Sequence, residues 1–564
     1  MNYAFLVVAL AAAALGSATG FVPAPDFLMS EAAAQTGGAS VDNVKLVLGS
    51  TTLRFKRVET HGGSTTGAEL ETLFDASGSA PEKFARLSAE TVVIPELDVE
   101  TQAGGATQRF TYRDVVLTGV GGGKAREVSA EGASFILSNP VQGEARGAYG
   151  RMSAKDVDLV LLARIAASDK TEEPKAPLYR DLSVEGVHFE AATIGFDAEK
   201  IAVGAAWGAP PGPAAPAPPQ DATPEAREKA AQADAMRWLG AHRIENVEID
   251  NPALTLRSGD TPLVTTAASV SMSSFDNLRV AALSARSVVF ARETGDVSVA
   301  SARLEGVDLA ALLQKGAFAS DAALASPVFA RFVLSGVGCK SADGERQVLS
   351  IRGVDVRNAE LSGEAGAKLD VTLDGLDAPL GASALPALAS LGYDRLDLSG
   401  RFSASWRSGP RELAISDFSL EGAHIGQLKL SALLGGVSAA LASPDQEKAS
   451  SAARNVVLKT LDVTFVNEGV VDKALAAQAE RQKTSVDEAR QSAMTQASLI
   501  LPALMGNAPP LRLIGSEAAR FIADPNNFNL VARSPQGVGL RDFELVATPA
   551  ALLKRVEITA YANR

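Results

Sequence analysis

The strongest constraint on this chain is a rhythm of two residues. In "RLDLSGRFSASW", residues 395–406, Leu396, Leu398, Phe402, Ala404 and Trp406 share one parity, while Asp397, Ser399, Arg401, Ser403 and Ser405 share the other. The same alternation runs through "KLDVTLDGL" and "QRFTYRDVVL". Successive side chains of a strand point to opposite faces, so the pattern predicts half-buried antiparallel strands with one wet face.

A short phrase recurs inside these stretches: Gly or Asn, then Val, Ala or Leu, a variable residue, and another apolar residue. It starts at Asn43, Gly132, Gly186, Asn246, Asn277, Gly306, Gly336, Gly353, Gly375 and Gly422. The central copies lie about 30 residues apart, the interval of a repeat array or a long meander. Gly and Asn tolerate positive φ, so the phrase is expected to mark a bulge or turn that resets the strand. The predicted fold is therefore mainly β: an elongated repetitive antiparallel sheet with peripheral helices and a C-terminal helical pair.

Helices are predicted where the rhythm breaks. Residues 208–222, "GAPPGPAAPAPPQDA", form a Pro/Ala linker that cannot donate ladder hydrogen bonds. Thr223 then caps a helix through residue 239, with Pro224 in its first turn. A helical pair is expected across 472–505, where Ser485 and Glu488 make a capping box. Val486, Ala489, Ala493, Ala497, Ile500 and Leu504 recur there at helical spacing and are expected to face a core. A short helix at "SEAARFIAD" and two last strands, around "FELVAT" and "RVEITAY", complete the reading. The expected organisation is an N-terminal segment 1–35, a β-rich block 36–207, the linker 208–222, a helix and β-repeat block 223–440, and a C-terminal α+β segment 441–564.

Residues 1–25 carry no charged side chain, and "AFLVVALAAAALG" is a compact apolar run followed by small residues. This reads as a secretory signal, or else as a retained N-terminal anchor that associates the protein with a membrane. The expected compartment is the periplasm. The sole cysteine, Cys339, precludes an intramolecular disulfide, and it sits at an apolar position of the phrase. A net charge of −13 opposes nonspecific binding to nucleic acid or to anionic membranes, and no run of Lys and Arg reverses that locally.

No constellation for chemistry emerges. His61, His188, His242 and His424 are scattered without ligand spacing. "LTGVGGGKA", residues 117–125, lacks the first Gly and the Ser/Thr of a phosphate loop and reads as a hairpin tip. Asp370, Asp374 and Asp377 are spaced too irregularly for calcium and read as a solvated strand edge. The expectation is a non-enzyme without metal or cofactor.

The export segment, the phrases "DNVKLVL", "IENVEIDNPALTLRSGD" and "FSLEGAHIGQLKLSALLGGV", and the low aromatic content resemble the AsmA-like envelope proteins of Gram-negative bacteria. The C-terminal third, from "LGYDRLDLSGRFSASW" to "FIADPNNFNLVA", is similar to the YdgA-like bacterial proteins. The AsmA-like resemblance implies a long curved β-sheet with an apolar groove and a part in lipid movement or envelope homeostasis. The chain departs from that pattern in lacking a basic-flanked anchor helix and in its Pro-rich interruption. The expected partners are lipids or envelope proteins. Leu309, Val356, Leu396, Leu398, Phe402 and Trp406 would line the apolar groove or core. The alternative is a β-repeat scaffold or protein-binding module whose apolar parity is closed by packing.

Overall fold

The computed structural model describes residues 38–564 apart from 75–77, 104–105, 140–142, 168–172, 213–222, 258–261, 293–294, 314–327, 342–346, 361–365, 381–385, 443–444, 505–507, 540 and 543–554. The expected N-terminal targeting segment, most of the Pro/Ala linker and the strand at "FELVAT" lie outside the described residues. Among the described residues the chain is mainly β, with 25 strands whose pairings are antiparallel. Two compact units are formed, Met1–Glu293 with Val307–Leu313, and Thr294–Gly306 with Gln314–Arg564. Their division falls within the stretch 223–440, which the sequence reading treats as one block.

The N-terminal unit shows why the phrase has its spacing. Strands Ala176–Glu190 and Ile194–Gly208 are each 15 residues long and pair from Glu190 opposite Gly195 to Ala176 opposite Gly208. Two such strands with their turn account for the interval of about 30 residues. Where a strand is broken, its halves still fill one lane. Lys124–Ala130 and Gly132–Asn139 both pair with Ala106–Gly121.

The phrase's small residue takes left-handed backbone at Asn43, Gly186, Asn246, Gly306, Gly336 and Gly375, with φ between 55° and 63°. One such residue advances the side-chain alternation by one position. Around Asn246 the inward side chains are His242 and Ile244 before it, then Val247 and Ile249 after it, all buried. The reset keeps one apolar face continuous along a strand whose backbone bends there. Gly204 is extended and lies across from Asn246, where an added Cβ would come 2.9 Å from the Asn246 Cβ. Asn277 has a different role. It and Leu278 (φ 48° and 61°) form the two-residue turn between strands Ser269–Asp276 and Arg279–Ala291. Gly132, Gly353 and Gly422 are not among the positive-φ residues.

The core of this unit is closed. Val92, Val99, Tyr112, Val115, Val128, Leu178 and Phe275 are all under 2% exposed. Helices α1 (Gly67–Phe74), α2 (Ala80–Arg86) and α3 (Leu159–Ala167) belong to it, and α1 and α3 bury Leu70, Leu73, Leu161 and Ile165. Helix α4 (Pro224–Gly240) starts at Thr223, whose Oγ1 accepts from the Ala226 N–H as the sequence leads one to expect. Its Trp238 stacks on His242, ring centroids 4.1 Å apart. "LTGVGGGKA" is a hairpin, with Gly122 and Gly123 both at positive φ between paired strands.

In the C-terminal unit the strands pair in chain order from Val297–Asp308 to Glu557–Ala562. The helices after Gly435 include α5 (Gln446–Ala453), α6 (Val470–Gln482), α7 (Val486–Thr495) and α8 (Pro509–Ala523). Ser485 and Glu488 form the expected capping box. The expected core stripe on α7 is only partly inward. Ala489 is fully buried, whereas Val486 and Ile500 are 42% and 49% exposed. Val486 is exposed at the first turn of α7, and beyond Thr495 the helix widens into a π-helical turn, Gln496–Ile500, which breaks the 3.6-residue spacing before Ile500.

Candidate functional site

The registers of the C-terminal unit bring one apolar row across the whole width of its sheet. Leu304 faces Phe332, Phe332 faces Val356, Val356 faces Val371, and Val371 faces Phe402. Phe402 faces Phe418, then Leu430, Val463, Leu530 and Ala560 follow. Side chains directly opposite in antiparallel strands are close neighbours, so the row is a continuous hydrocarbon band. From Leu304 to Leu530 every member is half-buried, while Ala560 is buried.

Parity alone places these residues on one face, and the opposite face shows what the alternation separates them from. Arg331 holds Asp355 through two contacts, Nε–Oδ1 at 3.0 Å and Nη2–Oδ2 at 2.8 Å. Arg357 approaches the same carboxylate at 2.8 Å. Arg331, with Arg357 beside it, pulls the Asp355 carboxyl down to about 2. Asp370 pairs with Lys368 and accepts from Ser403, Asp374 pairs with Arg352, and Asp377 pairs with Arg395. These aspartates sit on the central strand Gly366–Pro379, which has a partner on each side, so the expectation of a strand edge is corrected. Their charges are matched by neighbours on the wet face.

Of the six residues singled out from sequence, Val356 and Phe402 lie in the transverse row. Leu398 is half-buried and Leu396 buried, further along the Phe402 strand on the same parity. Trp406 closes the other end of that strand, buried, with its indole Nε1–H donating to the Val437 carbonyl at 3.1 Å. Leu309 separates from this group. It is buried, begins the short helix Leu309–Leu313, belongs to the N-terminal unit and donates its N–H to the Leu278 carbonyl. The sequence reading missed Phe332, Val371, Phe418, Leu430, Val463 and Leu530. Their alternation is visible in the sequence, but membership in one row depends on registers across the strands. Cys339 is half-buried on the apolar parity, opposite Val297 and Leu349.

The helices cover one margin of the apolar face. Phe521 of α8 packs on Phe465 and Phe528, centroids 6.0 and 5.9 Å away. Glu517, one helical turn earlier, accepts the Ala562 N–H at 3.1 Å. On the wet face, an open depression of about 650 Å³ is lined by Thr464, Asn467, Asn527, Asn529, Tyr561 and Arg564, among others. Two of its amides serve the fold. Asn467 donates to Pro525 O at 2.9 Å and Asn529 to Thr464 Oγ1 at 2.8 Å. Among the described residues no group of three His, Cys, Asp or Glu side chains could hold a metal ion, and no helix is long and apolar enough to cross a membrane.

A family model described only as an uncharacterized protein matches residues 419–563, which span the last strands and the C-terminal helices. No curated protein matches the chain.

Proposed function

We propose that this chain is an exported, non-catalytic envelope protein that binds acyl lipids along the apolar face of its C-terminal unit. The observation carrying this reading is the row from Leu304 through Phe402 to Leu530. It is unbroken in register and partly exposed at every strand, with Arg331, Asp355, Asp370 and Ser403 on the opposite face. An acyl chain lying on such a band replaces water at about 25 cal/mol per Å² of apolar surface. Nothing in that interaction needs a polar anchor, so it fits a site without a catalytic constellation. The AsmA-like resemblance of the repeated phrases supports the same reading, as does the apolar N-terminal run of the sequence.

A protein-binding scaffold with a closed core is the competing reading, and the tight packing of the N-terminal unit favours it for that half. The two are separated by extracting protein purified from membranes and analysing the extract by mass spectrometry. Lipid-handling predicts stoichiometric acyl lipid in the parent and its loss in Phe402→Asp with the strand signal in circular dichroism unchanged. Absence of lipid from the parent, together with unfolding of Phe402→Asp, would leave the scaffold.

A further inference from the structure

We propose that the depression on the wet face of the C-terminal unit, around Asn527, Asn529 and Tyr561, is a saccharide-binding site. It lies on the face opposite the apolar row, so it stands independently of the lipid reading above. Strand registers put its groups on one surface. Asn527 and Asn529 share a parity on strand Asn527–Gly539, Thr464 and Tyr561 face Asn529 from the strands on either side, and Val466 faces Asn527. All of them line the same open depression of about 650 Å³, a size within the range of small-molecule sites.

The hydrogen bonds already made there fix what the site offers. Asn529 Nδ2 donates to Asp462 Oδ1 at 3.1 Å and to Thr464 Oγ1 at 2.8 Å. Both amide hydrogens are thereby used, and the amide's orientation is set, because a carboxylate only accepts. Asn529 Oδ1 is left as an acceptor with no partner among the described residues. Thr464, whose oxygen accepts, keeps its hydroxyl hydrogen to donate. Asn527 is engaged through its backbone N–H, which donates to Asn563 Oδ1 at 3.2 Å, while its side-chain amide and the Tyr561 hydroxyl have no hydrogen-bond partner among the described residues.

This mixture selects the ligand. An anion such as phosphate takes donors alone, and the fixed Asn529 acceptor would meet it lone pair to lone pair. A peptide is taken along a strand edge or in pockets for its side chains. Here the groups stand on a sheet face, and Val466 is the one aliphatic side chain in the lining among the described residues. Neighbouring hydroxyls of a sugar each donate and accept, which matches the Thr464–Asn529 pair and the open Asn527 amide. Tyr561, 39% exposed, supplies an apolar surface for the C–H groups of the sugar ring. The Arg564 guanidinium, 5.1 Å from the centre of the Tyr561 ring, adds donors at the rim.

Saturation-transfer difference NMR with the full chain tests this, with glucose, N-acetylglucosamine and galacturonic acid as separate probes. At least one should receive saturation at its ring C–H protons and should not be displaced by an equal concentration of inorganic phosphate. Asn527→Ala and Tyr561→Ala should each weaken binding of that sugar about tenfold. Their thermal melts should match the parent's, since neither the Asn527 amide nor the Tyr561 hydroxyl has a hydrogen bond to lose. If Tyr561→Ala melts early, Tyr561→Phe and Asn527→Ala carry the test. Absence of saturation for all three sugars overturns the proposal, as does a sugar that binds the well-folded variants as tightly as the parent. Displacement by phosphate, with binding lost in Arg564→Ala and kept in Asn527→Ala, overturns it in favour of an anion site.

Discussion

The two units apply the same strand grammar to opposite ends. In "HRIENVEID", His242, Ile244, Val247 and Ile249 are buried at 1–4% exposure around the left-handed Asn246. In "RFVLSGVGC", Phe332, Leu334, Val337 and Cys339 occupy the same four positions around the left-handed Gly336, and all are only half-buried. Local geometry is alike, so the difference comes from what packs over the face. A closed face stores stability, whereas a half-open one retains apolar surface that a ligand can still cover.

That contrast should be plainest in truncation energies. Phe275, fully buried in the N-terminal unit, should cost about 3–5 kcal/mol as Phe275→Ala. Phe402, only partly buried, should cost about 1–2 kcal/mol as Phe402→Ala. Urea unfolding followed by hydrogen exchange assigns each loss to its unit. Equal losses at the two sites would break the comparison.

The shared grammar should respond alike in both units. Gly336→Val places a β-branched side chain at φ 58°, with its Cβ 2.8 Å from that of Ala300, and should cost about 2 kcal/mol. Asn246→Ala keeps a small side chain but loses a residue suited to φ 55°, so about 1 kcal/mol is expected, and Asn246→Gly should be close to neutral. Chemical denaturation of these three variants checks the order.

Acid should loosen the units over different ranges. Burial pushes the His242 imidazole below its usual value of 6.5, against the raising effect of the bond to the Trp238 carbonyl, and its Nε2 has no hydrogen-bond partner among the described residues. The unfolded state then binds the proton first. Stability is complete above about pH 6.5 and falls as pH drops below it. Asp355 has the same sign in a lower window. Its folded value of about 2 lies below the usual value of 3.8, so its contribution is present above 3.8 and is lost as pH falls toward 2. Amide exchange near His242 should begin to rise as pH falls below about 6.5, and exchange near Asp355 only below about pH 4. His242→Phe should remove the first step.

Much of the architecture was legible because the phrase carries its own mechanism. Gly and Asn mark positions where a strand must visit left-handed backbone, and most of the marked positions do. Restricting the phrase to those two residues hid others. Asp114, Asp156, Asp181 and Ser287 also have φ near 50° and are followed by an apolar residue in each case, since Asp also tolerates this conformation. The candidate face was legible only as parity. Leu309 has the alternation of a groove residue yet is buried in the other unit, because closure is decided by distant packing. The exposure of Ile500 was hidden for a related reason: helical spacing counts 3.6 residues per turn, and the backbone there does not.

The central claim is that the half-open row in the C-terminal unit holds acyl chains. A fatty acid carrying a diazirine on its hydrocarbon tail, photolysed with the full chain and mapped by peptide mass spectrometry, tests this directly. The account predicts labels on peptides bearing Phe332, Val356, Phe402 and Phe418, with the wet-face residues Arg331 and Asp355 and the buried Phe275 unlabelled. Labels spread evenly over both faces of the sheet, or no labelling of the row at lipid saturation, would contradict it.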